Sequence, residues 1–347
     1  MAKIESQHGA GTLMQRRTFI TLLGGAAAWP LTAHTQQPPN VHRIAIVRTS
    51  GSVADMSEAG DQPAFAALFK ELRRLGYVEG QNLIVERYSG EGRQERYTEL
   101  VREVVRTKPQ LIFAISSPLV LIFKAMTDTI PVVGSMADPV AFGIVSSLAR
   151  PGGNITGVSV DAGLETWAKR LQLLQELIPT AAKVGYLNVR SSWDLAEGRA
   201  TQEAARRLGI SLFGPPLETP IQETEYRRVL GSMSHERLDG LVVSDTADNF
   251  TYRRLIVGLA EMARLPAVYP YRTYFEEGGL MVYGSDLAGL YRWAARYIDQ
   301  ILRGTKPSEI PIYLESKFEL MINLKAAKAL GLTVPTSLLV RADEVIE

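Results

Sequence analysis

The chain has 347 residues, 46% of them hydrophobic and 22% charged, a formal net charge of +1 and no cysteine. The missing thiols exclude disulfides, thiolate metal sites and a cysteine nucleophile, and the near-neutral charge gives no electrostatic support for a nucleic-acid partner. The length suits one large or two medium α/β lobes.

The N-terminal region reads as an address. Gln15, Arg16, Arg17, Thr18, Phe19 and Ile20 precede a weakly apolar Gly/Ala-rich run from Thr21 to Pro30, and Ala33-His34-Thr35 approximates a small-x-small cleavage site. This is the order of a twin-arginine export signal over residues 1–35, removed on export to the periplasm, with 36–42 as linker. The apolar run is too short for a stable membrane anchor. Gly24 and Gly25 lie inside this signal and follow no strand, so they form no dinucleotide loop.

From Arg43 the pattern alternates. Arg43–Val47 is a short β-branched run that opens into Arg48, Thr49 and Ser50. A helix from about Gln62 places Phe65, Leu68, Phe69 and Leu72 on one face and stops at Gly76. Strand Leu83–Tyr88, a helix carrying Tyr97, Leu100, Val101 and Val104, and strand Leu111–Ile115 follow, the last ending in Ser116 and Ser117. A helix from Leu119 leads to strand Ile130–Gly134, then Ser135, Met136 and Asp138, and a Pro151–Asn154 turn. Helix-length crossovers make these four strands parallel, with their C-terminal ends on one edge.

The unit then repeats in outline. Strands are expected at Ile155–Val160, Lys183–Asn188, Ile210–Phe213, Leu241–Asp245 and Ala267–Tyr269, with helices around Trp167–Ile178, Ala196–Leu208, Tyr226–Ser232 and Phe250–Arg264. Gly278–Asp286 is one more strand, Leu287–Arg303 a helix, Phe318–Asn323 a strand, Leu324–Leu330 a short helix and Gly331–Pro335 a closing turn. The reading is α/β, with two Rossmann-like lobes.

Catalytic constellations are absent from the sequence. His8, His34, His42 and His235 fall in the signal, the linker or a polar helix end, and there is no Gly-x-Ser-x-Gly or His-x-x-x-His. Neither a metal nor a cofactor is implied. Asp138, Asp245 and Asp286 stand at strand ends, which leaves a carboxylate pair in a cleft open. The strand ends do carry Ser50, Ser116, Ser117, Ser135, Asn188, Ser191, Ser192, Ser244 and Thr246, short hydroxyls and amides that recognise a polar head without chemistry. Each one singly also fits a helix cap; their convergence on one edge is what points to a site. Asp245 among them suits a ligand ammonium. Trp193, Phe250, Tyr269, Tyr271, Tyr274, Tyr283 and Tyr291 gather in the second half, where aromatic rings stack on flat ligands or pack the core.

Several stretches together resemble ABC-transporter substrate-binding proteins of the tryptophan/tyrosine-type group. They are Leu72–Gly80 with Asn82, Ala137–Val140, Ser146–Gly157 and Leu324–Gly331, and the signal around Arg16–Gly25 looks similar too. The resemblance implies the type I periplasmic-binding fold, two parallel-sheet lobes joined by three crossovers near residues 159, 280 and 308. Lobe 1 would comprise 43–158 plus 280–308, and lobe 2 would comprise 159–279 plus 309–347. It implies hinge closure on a small solute, an amino acid or aromatic acid, delivered to ABC permease subunits by a monomer with no stable membrane insertion. The ligand residues it carries over are Thr49, Ser50, Ser116, Ser117, Ser135, Asp138, Asn188, Ser191, Ser192, Asp245 and Asn249, with Tyr271 and Asp286 beside them. Arg48 departs from the small residues usual near the first loop and can pair a ligand carboxylate or block an amino-acid mode, while Met136 and Phe142 make the pocket more apolar and favour small aromatic acids. A periplasmic ligand sensor and an exported α/β enzyme are the other readings.

Overall fold

The computed structural model describes residues 41–161 and 165–347. The export signal read at 1–35, and all of the linker but its last two residues, lie outside the described residues. Among the described residues no helix is long and apolar enough to cross a membrane.

In chain order the first part contains β1 (His42–Arg48), α1 (Pro63–Arg74), β2 (Leu83–Ser89), α2 (Tyr97–Thr107), β3 (Leu111–Ile115), α3 (Ser117–Met126), β4 (Val132–Met136) and β5 (Ile155–Ser159). The second contains α4 (Glu165–Leu177), β6 (Lys183–Leu187), α5 (Arg190–Trp193), α6 (Ala196–Arg207), β7 (Ser211–Phe213), α7 (Glu223–His235), β8 (Gly240–Val243), α8 (Ala247–Thr251), α9 (Arg253–Met262), β9 (Ala267–Tyr269), α10 (Arg272–Glu276) and β10 (Met281–Ser285). There follow α11 (Leu287–Leu302), β11 (Tyr313–Leu314), β12 (Phe318–Asn323), α12 (Leu324–Ala329), α13 (Thr336–Arg341) and β13 (Glu344–Ile346).

These strands form two sheets, ordered β11-β5-β4-β3-β1-β2 and β13-β12-β10-β9-β8-β6-β7. The central strands β3, β4 and β5 are buried along their whole length, as parallel strands covered on both faces must be. One face of the first sheet is covered by α1 and α11, where Phe65, Leu68 and Leu72 pack with Leu290, Ala294 and Ile298. The other is covered by α2 and α3, through Val101, Val104, Val120 and Phe123. The second sheet is enclosed in the same way, by Leu171, Leu174 and Ala204 on one face and Tyr226, Val229 and Ile256 on the other.

Three differences from the sequence reading concern the second half of the chain. The crossing expected near residue 280 falls at Asp286, because Met281–Ser285 pairs with β9 and β12 in the second sheet. The crossing expected near 308 falls after Leu314, because Tyr313–Leu314 pairs with β5 in the first sheet. Strand β12 runs antiparallel to β10, so the second sheet is mixed rather than purely parallel.

The two lobes are closed on one another. Thr219 donates to Glu95 at 2.8 Å, the Ile221 amide to the Gly92 carbonyl at 2.8 Å, and Arg253 Nη2 to the Asp61 carbonyl at 3.1 Å.

Strands β4 and β5 place Gly134 opposite Gly157, which has φ +151°. A Cβ on Gly157 would lie 2.0 Å from the Gly134 carbonyl oxygen. Only glycine permits both the backbone angle and this approach. Gly157→Ala is therefore expected to lower unfolding stability by on the order of 2–4 kcal/mol, read as a fall in the urea midpoint; an unchanged midpoint would show that the strand pair can shift without cost.

Candidate functional site

The C-terminal ends of β1, β3 and β4 face those of β6, β8 and β9 across the closed cleft, where open α/β sheets bind ligands. Side chains from both lobes line one cavity there, with a volume of about 80 Å³. That space admits several water-sized groups, the scale of one small molecule rather than a peptide.

Of the residues expected from sequence, Thr49, Ser116, Ser117 and Ser135 line the cavity from the first lobe, and Ser191, Ser192, Asp245 and Tyr271 from the second. Phe65, Tyr97, Phe142, Phe250 and Tyr291 supply aromatic walls, with Met136 among them.

The remaining five candidates lie off the cavity wall, each with a structural partner. Ser50 bonds Thr251 Oγ1 at 3.3 Å. Asp138 accepts from the amides of Val140 and Ala141 at 3.1 and 3.0 Å, a local turn. Asn188 is fully buried, donates to the Tyr186 hydroxyl and accepts from Ser244 Oγ, both at 3.0 Å. Asn249 donates to the Leu187 and Ser244 carbonyls and accepts from Tyr226 Oη. Asp286 is paired with Arg292 at 3.0 Å on the surface. Asn188 and Asn249 thus tie β6 and β8 to α8 and hold the wall from behind.

Charge in the cavity is unevenly partnered. Arg48 is 2% exposed, and no carboxylate among the described residues stands within ion-pair distance of it. Its Nη2 donates to Thr251 Oγ1 at 2.5 Å, its guanidinium carbon lies 6.0 Å from the centre of the Phe65 ring, and the Gln62 amide, oriented with oxygen toward it, accepts at 3.1 and 3.2 Å. Burial pushes its pKa below the ordinary arginine value. Asp248, 5% exposed, lines the same cavity; its Oδ1 has no hydrogen-bond donor among the described residues. Burial raises its carboxyl above the usual range, and the nearby Ser50 hydroxyl and Arg48 charge oppose that.

On the second lobe, Asp245 uses Oδ2 to accept from Trp167 Nε1 at 3.0 Å and from Arg170 Nη1 at 3.2 Å. Glu197, 3% exposed on the first turn of α6, also lines the cavity, and its Oε1 has no donor among the described residues. Burial, followed by the charge of Asp245, pushes its pKa up to about 8. Glu197, Asp248, Gln62 and Tyr97 were not among the sequence candidates. One signal was available for Glu197: it shares a helical face with Thr201, Ala204 and Ala205, all buried, so a carboxylate stands on an apolar stripe just after a strand end.

Backbone strain marks the same place. Ser116, at the start of α3, has φ +118°, outside the regions ordinary L-residues favour, and its Oγ has no partner among the described residues. Strain of this kind persists where the surroundings over-determine a residue, and it clusters at ligand sites.

A family model described as ABC transporter substrate binding protein matches residues 53–346. A tyrosine-binding protein of Clostridioides difficile is 24% identical over 265 residues, spanning 76% of this chain and 75% of that protein. Among solved structures, a conserved domain protein from Vibrio cholerae superposes with a TM-score of 0.75 at 22% identity, covering 88% of this chain and all of that one. An ABC domain from Streptococcus pneumonia in complex with L-Trp gives 0.72 at 22% identity with the same coverage. The fold is that of the periplasmic binding proteins.

Both Glu197 and Asp248 hold their protons more tightly folded than unfolded, so between pH 4.5 and about 8 the folded chain binds more protons than the unfolded one. Their contribution to stability is complete below the unfolded value and lost as pH rises. Groups held low, such as Glu71 at about 2 beside Arg74, act only below that window. The melting temperature of the ligand-free chain is expected to fall from pH 5 to pH 8 and to fall less in Glu197→Gln; a profile that rises over this range, or is identical in the variant, would contradict the assignment.

Proposed function

The chain belongs to the ABC transporter substrate-binding protein family, and we propose that it captures a small solute bearing a carboxylate and an aromatic body in the interlobe cleft. The observation that carries this reading is Arg48, a buried guanidinium in the cavity wall with no carboxylate paired to it among the described residues. A guanidinium in low dielectric is strongly favoured to meet an anion, and its planar fork fits a carboxylate at two points. Ser116 and Ser117, with the amides that open α3, stand on the same wall and suit the second face of that anion. Phe65, Phe142, Phe250 and Tyr271 provide ring faces for the body of the solute.

The relatives support the same class, since one is described as tyrosine-binding and one is solved with L-Trp. The family's role supports delivery to permease subunits, and the twin-arginine pattern at Arg16 and Arg17 in the sequence supports a periplasmic site of work. The chain acts by binding and hinge motion at its three crossings, without turnover.

Arg48→Gln is expected to weaken binding of carboxylate solutes by about 30-fold or more, on the order of 2 kcal/mol. Calorimetric titration with solutes found in a thermal-shift panel of aromatic amino acids and aromatic acids reads this directly. The fold should remain intact, because the variant removes a buried charge that has no ionic partner in the free protein. Equal affinity in the variant and the parent would reject Arg48 as the anion partner.

A further inference from the structure

A second cavity lies in the second lobe, between α9 and α12, where the chain enters β9 and β10. This is the opposite end of those strands from the cleft, and no residue lines both cavities. Alanines supply much of both helical walls, Ala260 from α9 and Ala326 and Ala329 from α12, which leaves space that larger side chains would fill. The volume is about 260 Å³, against about 80 Å³ in the cleft. An apolar cavity of about 150 Å³ holds a benzene ring, so this one has room for a ring and a substituent.

Space between small residues does not make a site; Tyr269 adds the group that points to a ligand. It lines the cavity, is 2% exposed, and stacks on Tyr274 with ring centres 5.1 Å apart. Gly279 lies against its ring edge, where a Cβ would come within 2.8 Å of a ring carbon, so the ring is held at a face and at an edge. The Tyr269 hydroxyl has no hydrogen-bond partner among the described residues, and the acid whose charge reaches it is Glu261, on the same cavity. Burial, followed by that charge, raises its pKa above the ordinary phenol value, so it keeps its proton and can donate. A buried phenol that donates to no protein group has a hydrogen bond to give to whatever enters. Glu261 and Arg264, both exposed on the rim, carry opposite charges, so the mouth favours neither an anion nor a cation.

We propose that this cavity is a second small-molecule site, which takes a neutral aromatic compound bearing one hydrogen-bond acceptor, such as an aryl ketone. The ring lies between the alanine walls and the carbonyl oxygen accepts from Tyr269. The solute of the cleft and the occupant of this site then bind side by side without competing, because they share no wall.

The test titrates the full chain with acetophenone, and with toluene as the ring that lacks an acceptor, by saturation-transfer NMR. Acetophenone should bind with a Kd of about 1 mM or tighter, toluene about five-fold more weakly, and Arg48→Gln should bind acetophenone as the parent does. Tyr269→Phe, which removes the hydroxyl alone, should lose about five-fold. Ala329→Phe, at an exposed position of the wall, should abolish binding. If acetophenone does not bind, or binds Ala329→Phe as it binds the parent, the cavity is not the site. If toluene binds as tightly as acetophenone, or Tyr269→Phe as tightly as the parent, the hydroxyl recognises nothing and the proposed ligand class is wrong. A concentration-dependent dimer that excludes acetophenone and is broken by Ala329→Phe would assign the cavity to a second copy of the chain and overturn the proposal. Should Tyr269→Phe not fold, the toluene comparison decides the role of the hydroxyl.

Discussion

Closing two lobes over Arg48 takes a guanidinium out of water with no acid among the described residues held against it. That cost organises the site. The protein offsets it with weak, neutral contacts: the Thr251 hydroxyl from the opposite lobe, the Gln62 amide and the face of Phe65. A hydroxyl and an amide replace part of a guanidinium's hydration, but neither supplies a charge. Asp248 lies close enough to affect Arg48 electrostatically yet does not pair with it. The closed cleft thus holds Arg48 on neutral contacts alone.

The fold produces this arrangement by simple means. Each lobe ends its parallel strands on the side facing the other, so loops that are distant in sequence are brought together without a long structured insertion. The glycine pair at Gly134 and Gly157 lets β4 and β5 approach at the edge that leads into the first crossing. Helix α11 leaves the second sheet at Asp286 and packs on α1 in the first lobe, so Tyr291 reaches the cavity from a helix whose preceding strand belongs to the other lobe. The crossings and the cavity are therefore parts of one mechanical unit.

Much of this was legible in the sequence, for reasons that also explain what was not. Buried parallel strands leave continuous apolar runs, and Leu111–Ile115 and Val132–Val133 could be read from them along with the polar residues that follow. A strand's run does not state which sheet it joins or in which direction. Met281–Ser285 was accordingly placed in the wrong lobe and β12 was expected to run parallel. Strand-end polar residues were equally ambiguous one by one. Ser116 and Ser191 reach the cavity, whereas Asn188 and Asn249, of the same chemical kind, face inward and brace the wall. The acids that matter most, Glu197 and Asp248, sit in the first turns of helices, where a carboxylate ordinarily marks nothing more than a favourable helix start.

Burial separates the two meanings of such a carboxylate. An exposed acid in a first helical turn is stabilised by the helix dipole and stays ionised; a buried one loses more by desolvation than the dipole returns, and takes up a proton unless a cation arrives. Glu197 is of the second kind, through burial first and the charge of Asp245 beside it.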